Sequence, residues 1–284
     1  MISTRKWLAV QPLPSGHSFR PQKHQQNIRM KILFIGDNLV KGSIGVNWVK
    51  WLGVKNPSWS VENAGANGVT LYQVKQRLDK KLPDSDYDII FFKTGLNDLL
   101  IPEMVERKFP FKQHFQHTNL DAKPCATAEQ FGEEYLNAVL DIKSKTNATL
   151  ILSTLGCISE NLELPINKKR RSYNDVIRDV AIETGCALVD AGAVFDGYLR
   201  RCRTRNYFMN GFLNTVILDK FHCRLMGGPD QLSKKRGLHL TIDGVHLNSR
   251  GANLFRDETE RQIKSLISCC SHDSKELASS LRAL

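Results

Sequence analysis

The chain has 284 residues, 41% of them apolar, and a formal charge of +11 at neutral pH. That length and apolar content suit one large domain, or two small ones, with a substantial core. The longest apolar runs, such as residues 89–92, fall far short of the ~18 to 20 residues of a spanning helix, so a transmembrane role is not expected.

Residues 1–29 form a basic extension. They hold Arg5, Lys6, Arg20, Lys23 and Arg29 and no Asp or Glu, so nearly half of the excess charge lies there. The only apolar run in it, "WLAV", has four residues, whereas a secretory signal needs a core of ~7 to 15. Secretion is therefore disfavoured and an intracellular, cytoplasmic location is expected. The composition is also compatible with an organellar transit peptide, and Met30 is an alternative start.

From Lys31 onward, short apolar runs alternate with amphipathic stretches, as strands do when each is followed by a helix. Strands are expected at residues 32–35, 59–62, 89–93, 149–153 and 187–189. Their Ile, Leu, Val and Phe content suggests burial on both faces, as in parallel sheets. Helical spacing occurs at 71–78, 128–142 and 173–182, and a last helix is expected from about Ser249 to Ile267, capped by Ser249 or Asn248. The fold class is α/β, a doubly wound parallel sheet of about five strands flanked by helices. The domain is expected to span residues 30–270, with insertions at about 101–126 and 195–238 and a tail at 271–284. Loops at the carboxyl ends of parallel strands carry ligand sites, which makes both insertions candidate substrate walls.

Further basic clusters lie at Lys168–Arg171 and Arg200–Arg205. They read as solvated faces, since no nucleic-acid motif accompanies them, and no nucleic-acid partner is expected. Seven scattered cysteines without a CxxC pair suggest free thiols and no zinc site. No cofactor is suggested by residue spacing, and oligomeric state is not readable.

The chemistry is expected at the strand ends. The first carries Gly36-Asp37-Asn38, the second "NAGANGVT" (residues 63–70) with Gly68, and the third Gly95-Leu96-Asn97-Asp98. A fourth piece, Asp243 to Leu247 ("DGVHL"), precedes the last helix. In this order the four blocks resemble the SGNH/GDSL hydrolase superfamily, esterases and lipases of flavodoxin-like fold, from Lys31 to about Ile267. The resemblance implies an oxyanion hole formed by Gly68, the Asn97 amide and the backbone N–H of residue 38. It also implies an Asp243–His246 pair and a nucleophile at position 38. Gly36, Asp37, Gly95 and Asp98 complete the matched motifs as supporting residues, and the family needs no metal or organic cofactor.

Acyl transfer needs a nucleophile, a base that takes its proton, a carboxylate that orients the base, and donors for the developing oxyanion. His246, three residues after Asp243, suits the base. Position 38, where the family has serine, holds asparagine. A carboxamide has no ionisable proton near neutral pH, so His246 cannot make Asn38 an attacking group. Ser43 is more than a helical turn away, and Thr70 and Thr94 are expected to act as backbone caps. His222 and His239 have no partner at useful spacing and read as surface or packing residues.

Three functions follow. The first is an impaired hydrolase homologue that binds an acyl or acetyl ester, on a small molecule, carbohydrate or lipid. The second is an active carboxylester or O-acetyl hydrolase working through His246 and Asp243. The third is a basic module for nucleic acid or a membrane surface.

Overall fold

The computed structural model describes residues 29–84, 86–107, 122–208 and 218–282. The N-terminal extension up to residue 28 and residues 108–121 and 209–217 of the two insertions lie outside the described residues. The apolar runs pair as five parallel strands: β1 (Met30–Gly36), β2 (Trp59–Asn63), β3 (Ile89–Lys93), β4 (Thr149–Ser153) and β5 (Ala187–Val189). Their spatial order is β2-β1-β3-β4-β5, the flavodoxin-like arrangement with a switch point between β1 and β3. The β1/β3 register sets Phe34 beside Phe91 and Gly36 beside Lys93.

Helices cover both faces. On one lie α2 (Trp48–Lys55), α7 (Ala191–Leu199) and α10 (Ser249–Arg282), with α10 packed on the other two. On the other lie α3 (Leu71–Asp79), α5 (Ala128–Lys145) and α6 (Pro165–Thr184). Short α1 (Asn38–Lys41) follows β1, α4 (Leu96–Arg107) follows β3, and α8 (Lys220–Leu225) and α9 (Gly228–Arg236) lead to the last block. The α2/α10 side is sealed by aromatic packing, with Trp48 and Phe255 ring centroids 4.6 Å apart and Phe34 and Phe91 5.1 Å apart. On the opposite side Phe131 stacks on Tyr173 at 4.7 Å. Contacts of this kind add to the area that the rings bury.

Burial on both faces holds for β1 and β3 but not for β2, where Ser60 and Glu62 are exposed, because β2 is an edge strand. Helix α6 starts at Pro165, eight residues before the apolar period shows. Proline favours a first helical position, and the buried face of this first part carries polar Asn167 and Arg170, which interrupt the apolar pattern. The segment 101–126 opens inside α4, and 195–238 opens inside α7 and contains α8 and α9. Helix α10 continues past Ile267 to Arg282. No helix among the described residues is long and apolar enough to cross a membrane.

Candidate active site

Strand β1 delivers Asn38 to the carboxyl edge of the sheet. Gly36 lies so close to β3 that a Cβ there would sit 2.3 Å from the Lys93 carbonyl oxygen, which only glycine avoids. Asp37 then caps α1, its Oδ1 accepting from the Leu39 N–H at 3.0 Å while its Oδ2 accepts from Lys93 Nζ at 2.7 Å. Both charged side chains of that pair are fully buried. The Trp48 indole N–H donates to the Leu39 carbonyl at 2.9 Å, fixing α1 from the other side. Asn38 therefore starts a helical turn held at both flanks.

The loop after β2 lies against this turn. The Ala66 N–H donates to the Gly36 carbonyl at 2.9 Å and Asn63 Nδ2 to the Val40 carbonyl at 2.8 Å. Gly68 has φ +69°, a left-handed conformation that suits glycine. From the end of β3, Asn97 Nδ2 donates to the carbonyl of Val69, the residue after Gly68, at 2.8 Å, and to Asn38 Oδ1 at 3.1 Å. Its neighbour Asp98 accepts from the N–H groups of Leu71 and Cys125 at 2.9 and 3.2 Å. Burial pushes the Asp98 carboxyl up to about 6 although those two N–H donors oppose the shift. Gly95, before Asn97, has φ +103° and packs under Phe131.

Asp243 and His246, the expected carboxylate and base, come from the segment after α9. Asp243 Oδ1 accepts from the N–H groups of Val245 and His246 at 3.0 and 2.8 Å, and Asp243 Oδ2 lies 2.7 Å from His246 Nδ1. Burial alone would lower the imidazole pKa, but the charge and hydrogen bond of Asp243 outweigh it and the pKa is raised. Burial would raise Asp243, and the charge and hydrogen bond of His246 hold it below the ordinary carboxylate value. Facing a carboxylate, Nδ1 carries the proton, which leaves Nε2 of the neutral ring as an acceptor. Asn38 Nδ2 lies 3.2 Å from it. The result is one directed chain: Asn97 donates to Asn38, Asn38 to His246, and His246 to Asp243.

Glu160, just beyond β4, holds this segment in place. Its buried carboxylate accepts from the N–H groups of His239, Leu240 and Thr241 and from the Thr241 hydroxyl, at 2.6 to 2.8 Å. Beside it, Ser159 adopts φ 60° and donates its N–H to the Gly244 carbonyl at 2.8 Å. Gly45 and Gly251 press on the segment from α1's side and from α10, where a Cβ would come within 2.3 and 2.2 Å of the Leu247 and Leu240 carbonyl oxygens. Asn248 caps α10 by accepting from the Gly251 N–H at 2.9 Å.

The structure thus brings Asn38, Asn97, Asp243 and His246 into one network, with Gly68 one residue from an Asn97 contact. Ser43 stays out, its hydroxyl donating to Asn67 Oδ1 at 2.9 Å. Among the described residues the buried Thr94 hydroxyl has no hydrogen-bond partner, so it is not the backbone cap its sequence position suggests. His239 Nε2 meets the Arg203 carbonyl at 3.1 Å. Buried Cys125, pushed up to about 12 by burial, offers no thiolate near neutral pH. Among the described residues no group of three or more His, Cys, Asp or Glu is arranged to hold a metal ion. The motif reading missed Lys93 and Glu160. A lysine ending an otherwise apolar strand was a usable signal for the first, and nothing local marks the second.

Residues 34–254 match the GDSL-like lipase/acylhydrolase family, and the chain belongs to that family. Among solved structures it is similar to Axe2, an acetylxylan esterase from Geobacillus stearothermophilus. The identity is 21% with a TM-score of 0.55, over 82% of this chain and 94% of that one. It is also similar to LAE5, an alpha/beta hydrolase enzyme from the metagenome of Lake Arreo, Spain. There the identity is 19% and the TM-score 0.54, over 81% and 93% of the two chains. At these identities the likeness is one of fold. No curated protein matches in sequence.

Proposed function

We propose that this protein is an ester-binding member of its family that has lost the nucleophile and keeps the pocket for an acyl or acetyl ester. One observation carries the reading: the Asn38 carboxamide lies between the oxyanion donor and the base, accepting from Asn97 and donating to His246. Its nitrogen lone pair is delocalised, so proton removal by His246 yields no attacking group. Its oxygen also takes an N–H of Asn97, whose other N–H goes to the Val69 carbonyl, so neither remains for an oxyanion. Removing the nucleophile of a serine hydrolase costs on the order of a million-fold in kcat. The similarity to an acetylxylan esterase supports an ester ligand as the occupant.

Hydrolysis of p-nitrophenyl acetate by the parent and by Asn38→Ser tests this. A serine would supply a hydroxyl to His246 and free one Asn97 N–H. The parent is expected near the uncatalysed rate and the variant at least ~10³-fold above it. Robust turnover by the parent refutes the reading.

The buried 2.7 Å Asp243–His246 pair supports a second reading, hydrolysis by a water that His246 activates. It requires that His246→Ala reduce any parental activity to the no-enzyme rate. An unchanged rate removes it.

A further inference from the structure

Eight large apolar side chains are exposed among the described residues, and four of them lie within nine residues of chain. These are Leu218, Phe221, Leu225 and Met226, at 58, 52, 71 and 57% exposure, on and beside α8. The other four are scattered over α2, α3, α5 and α6. Isolated exposed apolar residues are ordinary, whereas a concentration of them marks a contact surface.

Helix α8 is fixed to the body by its inner side. Cys223 packs on Ile44, Leu232 and Ile242. Asp219, at 3% exposure, accepts from both terminal nitrogens of Arg236 at 2.7 Å. Arg236 also donates to the Ile242 carbonyl at 2.7 Å. The residue after Ile242 is Asp243, so α8 lies beside the candidate site.

The outer side carries charge of one sign. Lys220 and Arg224 alternate with the apolar residues and make no ion pair among the described residues, and the nearby acid, Asp219, is buried and paired. An apolar row flanked by unpaired cations matches an anionic lipid surface, where the side chains enter the headgroup boundary and the cations meet lipid charge. A second copy docked through the same patch would bring these cations near their own kind. Four side chains also fall well short of the ~800 Å² per partner of a stable protein interface.

We propose that α8, with Leu218 and Met226, is a membrane-contact element that seats this side of the protein reversibly on anionic lipid. The contact is independent of what occupies the pocket at Asn38.

Co-sedimentation of the full chain with phosphatidylcholine vesicles, with and without phosphatidylserine, tests it. The parent is expected to sediment with the anionic vesicles and to be released as salt rises. Phe221→Asp with Leu225→Asp is expected to lower the partition coefficient about tenfold or more. Lys220→Glu with Arg224→Glu, which spares the apolar row and keeps the test open should the first pair misfold, is expected to remove the preference for phosphatidylserine. Ile182→Asp, at an exposed apolar position on α6, should bind like the parent. Failure of the parent to bind either vesicle overturns the proposal. So does undiminished binding by both double variants, which would assign the attraction to basic residues elsewhere. A parental dimer that the Phe221/Leu225 pair splits would assign the patch to a second copy instead.

Discussion

Asp37 beneath position 38 and Glu160 behind His246 are both fully buried carboxylates, but one meets a lysine and a single backbone N–H while the other meets three backbone N–H groups and a hydroxyl. The ion pair ties two adjacent strand ends, β1 and β3, which the sheet already holds in register. The ring of neutral donors instead fixes three successive residues of an irregular segment, and thereby the loop that carries Asp243 and His246. A charge opposite a charge sets one distance, whereas a charge among backbone donors sets a loop conformation. The first arrangement is expected to matter for stability, and the second for stability and site geometry together.

The largest expected effect on stability comes from breaking the ion pair. Lys93→Met leaves the Asp37 charge buried without its partner and should cost about 3 to 5 kcal/mol, read as a fall in melting temperature. Adding Asp37→Asn should recover part of the loss, because the pair's own net contribution is smaller than the penalty for half of it. If the double variant is less stable than the single one, the pair contributes more than this account allows.

Glu160→Gln should cost less, about 1 to 3 kcal/mol, since one acceptor oxygen becomes an amide nitrogen facing an N–H donor. In an Asn38→Ser background it should also lower kcat more than it changes KM if His246 is the base, because His246 is displaced while the rest of the site is unaltered. A loss of stability with kcat intact would reduce Glu160 to a purely structural part.

The smallest effect is pH-dependent. The His246 pKa is raised in the folded state, so the stability it contributes is fully present below the ordinary histidine value of about 6.5 and is lost as pH rises through the folded value. Asp243 is lowered, so its contribution is present above the ordinary carboxylate value and is lost as pH falls through its folded value. The melting-temperature gap between the parent and His246→Gln should therefore be widest in mildly acid solution and narrow towards alkaline pH. Protonation also places an N–H on Nε2 against the Asn38 amide nitrogen, so the carboxamide must turn over. Its side-chain NMR signals should move with the same midpoint.

Much of this arrangement was legible in the sequence. Apart from the edge strand β2, the strands stand where the apolar runs put them, because a strand covered on both faces is apolar over most of its length, and β3, Ile89–Lys93, is the expected segment. Asn38, Gly68, Asn97, Asp243 and His246 were readable because each lies in a short block next to an element boundary. Helix α4 was not, since Pro102 lies within it, nor was the first part of α6, where Asn167 and Arg170 interrupt the apolar period. Glu160 was out of reach for another reason. Its partners lie about eighty residues away, and nothing in "CISEN" says where its carboxylate points.

The segment that carries Asp243 and His246 has one more consequence, in time rather than in space. It has no regular secondary structure beyond the single bridge between Thr241 and Leu247. Yet the backbone N–H groups of His239, Leu240, Thr241, Ile242, Gly244, Val245, His246 and Asn248 all have acceptors. Hydrogen exchange follows opening, not classification. These amides should exchange with solvent deuterium as slowly as those of β3, in a stretch that a helix-and-strand diagram would draw as a loop.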